Sequence, residues 1–91
     1  MKCTSDPAKR ATTLKDRGLD LEIDGAEVFA GRTLTHEDDR FDYGETRLIT
    51  IGFLKERMVI VVWTPRDGAA HVISMRKAND REQKAYAPRF R

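Results

Sequence analysis

Cysteine is all but missing from this chain: Cys3 stands alone among 91 residues. With one thiol, and no cluster of Cys and His at zinc-ligand spacing, neither a disulfide framework nor a structural metal can staple the fold, and a reducing cytoplasm suits it. Long apolar runs are missing too. The longest, residues 58–63, falls far short of the roughly 20 residues that cross a bilayer. The opening Met1-Lys2-Cys3-Thr4-Ser5-Asp6-Pro7 gives way to charged residues where an export signal would continue apolar. The expectation is a cytoplasmic protein with no membrane partner. Repeats and low-complexity segments are lacking, and so is the length for a second domain. Residues 1–91 read as one domain, which hides only about 60–70% of its extended-chain surface and keeps a thin core.

Charge is what the chain has in quantity. Charged residues make up 35% against 40% hydrophobic, so most of the charge must lie outside. The net value of +2 conceals a segregation: residues 1–18 carry +3, residues 19–45 carry −7 and residues 46–91 carry +6. A basic half can supply the sequence-independent phosphate attraction that nucleic-acid binding needs, and the acidic middle would repel the same ligand. Alternatively, the patches neutralise each other in the folded monomer.

Asp6-Pro7 is a helix start, because the Asp side chain accepts free backbone N–H groups and proline tolerates the first helical position; Gly18 is the matching stop. Ala8, Ala11 and Leu14 recur between them at helical spacing. The stretch 19–25 alternates apolar and acidic residues, which argues for a strand by period. Asp20 could instead cap a helix running to Phe29 with Ile23, Ala26 and Ala30 on one face, and the helix is preferred. A short strand is expected over 32–35 and a polar, acidic loop over 36–45. From Arg47 the pattern is β: strands over 47–53 and 58–64 about a turn at Lys55-Glu56-Arg57, then a turn at Pro65-Arg66-Asp67-Gly68 and a strand over 70–75. The strand over 58–64, apolar on both faces, should be central. Asn79 or Asp80 can cap a last helix through Tyr86, closed by Pro88. The fold class is α+β, with N-terminal helices packed on an antiparallel sheet of about four strands and a short C-terminal helix.

Several of these runs, in order, resemble the BrnT family of toxins. They are Asp6-Pro7-Ala8-Lys9-Arg10, Arg17-Gly18, Ala26-Glu27-Val28-Phe29, Glu37-Asp38-Asp39-Arg40, Tyr43-Gly44-Glu45-Thr46-Arg47, Ile51-Gly52, Val61-Val62-Trp63-Thr64 and Ile73-Ser74-Met75-Arg76-Lys77-Ala78, followed by Arg81-Glu82 and Tyr86. The resemblance covers nearly the whole chain, and Ile-Ser-x-Arg-Lys-Ala before Glu and Tyr is its most distinctive part. Two positions depart from the family: Ser5 stands where an aromatic residue is usual, and Arg17 where many members have His. The resemblance implies a RelE-like fold, ribonuclease activity that blocks translation, an RNA substrate, and a BrnA-type antitoxin through whose complex operator DNA is bound.

Metal-free RNA cleavage, which needs no cofactor, requires a base for the 2′-OH proton, cations around the pentacoordinate phosphate and an acid for the departing 5′ oxygen. Arginine suits the middle role because its fork grips phosphate oxygens and keeps its charge. Arg66 and Arg76 are the first choices and Arg47 the third. Glu45 and His36 are candidate bases and Tyr86 a candidate acid; imidazole is the side chain whose ordinary titration falls near neutrality, which also brings in His71, expected on the surface. Lys9, Arg10, Lys15 and Arg17 on the first helix, Lys77, and Arg81 and Lys84 on the last could hold the RNA backbone. Lys77 alternates to the face opposite Arg76. Trp63 and Phe53 read as core residues rather than base-stacking platforms. The same basic face would serve a non-catalytic nucleic-acid-binding module, or a degenerate toxin that only binds its antitoxin.

Overall fold

The computed structural model describes residues 1–90. Its sheet grows from two tight hairpins. Strand β3 (Leu48–Leu54) turns into β4 (Arg57–Arg66) through Lys55 and Glu56, both at positive φ, and β4 turns into β5 (Ala69–Lys77) through Asp67 and Gly68, at φ 52° and 75°. Two consecutive left-handed residues match the right-handed twist of the flanking strands. Strand β2 (Leu34–Glu37) pairs antiparallel with β3, and β1 (Cys3–Ser5) pairs parallel with β5, giving the order β1-β5-β4-β3-β2.

Helix α1 (Pro7–Arg17) packs along β5, α2 (Ile23–Ala30) lies on one face of the sheet, and α3 (Asp80–Tyr86) with the 3-10 turn Ala87–Phe90 covers part of the other. Under α2 the core is Leu19, Leu21, Val28, Val59, Val61, Trp63, Val72 and Met75. Trp63 meets the Phe29 ring edge-on at 5.2 Å, and its Nε1 donates to Thr50 Oγ1 at 2.8 Å. Helix α2 sits so close to β3 that a Cβ on Gly52 would come within 2.6 Å of Val28 Cγ1. On the other face Ile51, Met58, Ile60, Ala78 and Phe90 form a smaller core, so β4 is central, as its apolar run implies, covered on the helix side and in part on the other. Phe53, expected in the core, instead lies 36% exposed with its ring edge-on to Phe90.

Helix α1 buries none of its side chains. Asp6 caps it by accepting from Lys9 N, and Gly18 ends it at φ 69°. It is held through polar ties: Arg10 to Asp20 and Glu22, and Arg17 Nη1 donating to Met75 O at 2.9 Å.

Several expectations need correction. The sheet has five strands and is mixed, because residues 3–5, too short to show a period, find their partners at Ala70, His71 and Val72. A strand therefore precedes the first helix. Helix α2 starts at Ile23, with Asp20 accepting from the N–H groups of Glu22 and Ile23. Ile23 is 67% exposed, since Leu19 and Leu21 have already filled the space beneath. Strand β2 is displaced to 34–37, which takes His36 out of the loop and into the sheet edge. Strand β4 runs on through Pro65 and Arg66, and β5 extends to Lys77. Among the described residues no helix is long and apolar enough to cross a membrane.

Candidate active site

A bulge in β5 shapes the face opposite α2. The pairing steps from Val62↔Ser74 to Trp63↔Val72, leaving Ile73 without a partner. One extra residue flips the alternation: Val72 and Met75 both reach the helix-side core, and Ser74 and Arg76 reach the open face. The register then sets a row across four strands, His36 beside Ile49, Ile49 beside Val62, and Val62 beside Ser74. At about 4.8 Å per strand that row is about 14 Å long. Arg76 stands one row away, paired with Ile60.

These side chains line an open groove of about 320 Å³. Ile49, Ile60 and Val62 make an apolar floor, and His36, Arg40, Ser74, Arg76, Glu82 and Tyr86 surround it. The Arg76 guanidinium grips Glu82 with two hydrogen bonds of 2.8 and 2.7 Å. Glu82 is itself fixed by a capping box, in which the Asn79 N–H donates to Glu82 and the Glu82 N–H donates to Asn79 Oδ1. The Arg76 pair holds the Glu82 carboxyl down at about 2, so it stays ionised and is a weak proton acceptor at neutral pH. The imidazole and the phenol are left as the groove's groups for proton transfer.

On the β2 side, Arg40 is gripped in the same way by Asp38, at 2.8 and 2.9 Å, and Tyr43 OH also donates to that carboxylate at 3.2 Å. The Arg40 guanidinium holds Asp38 at about 2, and Asp38 in turn pushes Arg40 upward.

The groove thus gathers Arg76, His36 and Tyr86 and leaves out the other three catalytic candidates. Arg66 lies at the opposite end of β4, six residues from Ile60 and about 20 Å away along the strand, in a 3.2 Å ion pair with Glu45. Arg47 stacks over the Tyr43 ring at 3.9 Å, its buried Nε without a hydrogen-bond partner among the described residues. Lys9 and Arg17 line a second groove of about 360 Å³ between α1 and the β5 bulge, which Ser74 also borders. Arg10 is spent on Asp20 and Glu22, and Lys77 faces away from Arg76 beside Gly18 and Leu54. Lys15, Arg81 and Lys84 are exposed on their helices. His71 pairs with Thr4 Oγ1 at 2.9 Å, tying β5 to β1.

Sequence reasoning overlooked Arg40, Ser74 and Glu82. Glu82 stands three residues after Asn79, a capping-box spacing that fixes where its carboxylate goes. Arg40 carried a weaker signal, as the one cation between Arg32 and Arg47 in an acidic stretch.

A small α+β protein whose open sheet face presents two arginines, an imidazole and a phenol over an apolar floor is equipped to take hold of a phosphodiester. The chain matches, over residues 6–82, the family model described as the ribonuclease toxin, BrnT, of type II toxin-antitoxin systems, and it belongs to that family. The match runs from the α1 cap to the Arg76 partner and stops short of Tyr86. No curated protein matches the chain.

Proposed function

We propose that this ribonuclease toxin cleaves RNA in the open-face groove, without a metal ion, and that the cleavage inhibits translation. The observation that carries the site is the convergence of Arg76, His36 and Tyr86 on one groove. His36 takes the proton of a ribose 2′-OH, whose oxygen attacks the adjacent phosphorus; a 2′,3′-cyclic phosphate forms as the P–O5′ bond breaks. Tyr86 gives its proton to the departing 5′ oxygen. Arg76 stabilises the negative charge that builds on the phosphate oxygens, the role that a metal would otherwise fill. The incoming phosphate competes with Glu82 for the guanidinium, and the apolar floor accommodates a base.

The fold is read as RelE-like, since α2 covers one side of the antiparallel strands β2 to β5 and α3 leaves a groove open on the other. A BrnA-type antitoxin would neutralise the toxin in the cytoplasm by covering the groove, and operator DNA would be bound through that complex. An acidic or apolar antitoxin segment complements the groove's arginines and floor.

Purified protein incubated with long RNA in EDTA should cleave it as fast as without the chelator. Intact RNA at excess enzyme would sink the nuclease reading, and unimpaired cleavage by both His36→Ala and Arg76→Ala would show that the site is elsewhere. Growth arrest on induction without antitoxin, lost in Arg76→Ala, tests the toxic effect itself.

A further inference from the structure

The acidic loop between β2 and β3 holds one carboxylate that is not on its surface. Glu37, Asp39 and Asp42 are exposed, whereas the Asp38 side chain is only 1% exposed. A buried carboxylate is tolerated only when it is paired and hydrogen-bonded. Asp38 accepts from Nε and Nη2 of Arg40 and from the hydroxyl of Tyr43, and its own N–H donates to Arg47 O at 2.8 Å, closing the loop at its neck. The Arg47 guanidinium, packed on the Tyr43 ring, braces the same tyrosine from behind.

These ties hold one group in place, the guanidinium of Arg40 at the wall of the groove. Nε and Nη2 face Asp38, and Nη1 has no hydrogen bond among the described residues. Arg40 enters from the β2 side and Arg76 from the β5 side, with the β3 and β4 floor between them.

Resting on the reading of this groove as the cleavage site, we propose that Arg40 is a second cation that grips the reacting phosphate, and that the buried Asp38 is the positioning residue that holds it there. The phosphodiester carries one negative charge in the ground state and a second develops as the 2′ oxygen adds. A second fixed cation is therefore worth more in the transition state than in the bound substrate, and its loss falls on kcat more than on KM. Asp38 does not itself move protons: its carboxyl is held at about 2 and its oxygens are occupied.

Steady-state cleavage of a short RNA by Arg40→Ala, Arg40→Lys, Asp38→Asn, the Asp38→Asn/Arg40→Ala double variant and Arg76→Ala, each with its Tm, tests this. Arg40→Ala should lower kcat about 100-fold, and Arg40→Lys should recover part of it. Asp38→Asn should lower kcat about 10-fold through misplacement of the cation, and should cost nothing further in the Arg40→Ala background. A purely structural Asp38 would lower Tm and add its kcat loss to that of Arg40→Ala, which overturns its positioning role. If Asp38→Asn does not fold, Tyr43→Phe, which removes only the 3.2 Å hydrogen bond, should lower kcat in the same direction and likewise have no effect in the absence of Arg40. Wild-type kcat in Arg40→Ala with an inactive Arg76→Ala overturns this inference alone. Wild-type kcat in Arg76→Ala overturns the groove reading and takes this inference with it.

Discussion

The Thr50 hydroxyl sits where three strands meet, within 2.8 Å of Thr35 Oγ1 and of Trp63 Nε1, with none of the residue exposed. Replacing it by the isosteric valine leaves a buried indole N–H without an acceptor. Thr50→Val should therefore lower unfolding stability by about 1–3 kcal/mol, read from urea denaturation, although the volume is unchanged. Acid offers a second check. Asp38 and Glu82 are both held at about 2 by their arginines, below the ordinary carboxylate value. In acid the unfolded chain binds more protons than the folded one, so their contribution is full above about pH 5 and is lost as pH falls through about 2. Thermal unfolding of the wild type should weaken over that window, and Glu82→Gln should flatten part of the dependence. At this scale the sequence singled out Arg76, Tyr86 and His36 by their chemistry, and the structure brings the three to one groove. It was opaque for Arg40, because Asp38 and Asp39 differ in burial and nothing local says which of them faces inward.

Elements are held together by how closely they approach. Strand β3 carries Gly52 under Val28 of α2, and a methyl there would sit 2.6 Å from Val28 Cγ1. Gly52→Ala should cost about 1–3 kcal/mol through overpacking, seen as a lower urea midpoint with an unchanged m-value. The β hairpins and the first and last helices were legible because their turn and cap residues are local signals: Asp6, Gly18, Gly68 and Asn79 do in the structure what such residues do anywhere. Strand β1 and the Ile73 bulge were not legible, because each is defined by a partner distant in the chain. The bulge matters most, since it puts Arg76 on the open face with Met75 in the core.

Across the whole molecule, the charge segregation of the sequence is partly undone by folding. The acidic middle reaches to both flanks, through Arg10 with Asp20 and Glu22 and through Arg66 with Glu45. Lys9, Lys15, Arg81 and Lys84 are exposed and outside those pairs, and under the proposed function they would meet the RNA backbone. Affinity for RNA should fall with salt by a log–log slope of about 0.7 for each phosphate contact. Lys9→Ala with Lys15→Ala should make the slope shallower, and Arg66→Ala should leave it unchanged. An unchanged slope in the lysine variant would remove α1 from the RNA path.

Strand β1 pairs with Ala70, His71 and Val72, and Lys2 O accepts from the Ala70 N–H. The first strand to be synthesised therefore waits for the last, and Arg76, Glu82 and Tyr86 are added after that. During translation the emerging polypeptide has neither a closed sheet nor a complete groove lining until β5 and α3 have been made. If RNA is cleaved in this groove as proposed, the growing polypeptide gains that activity only after Tyr86 has been added.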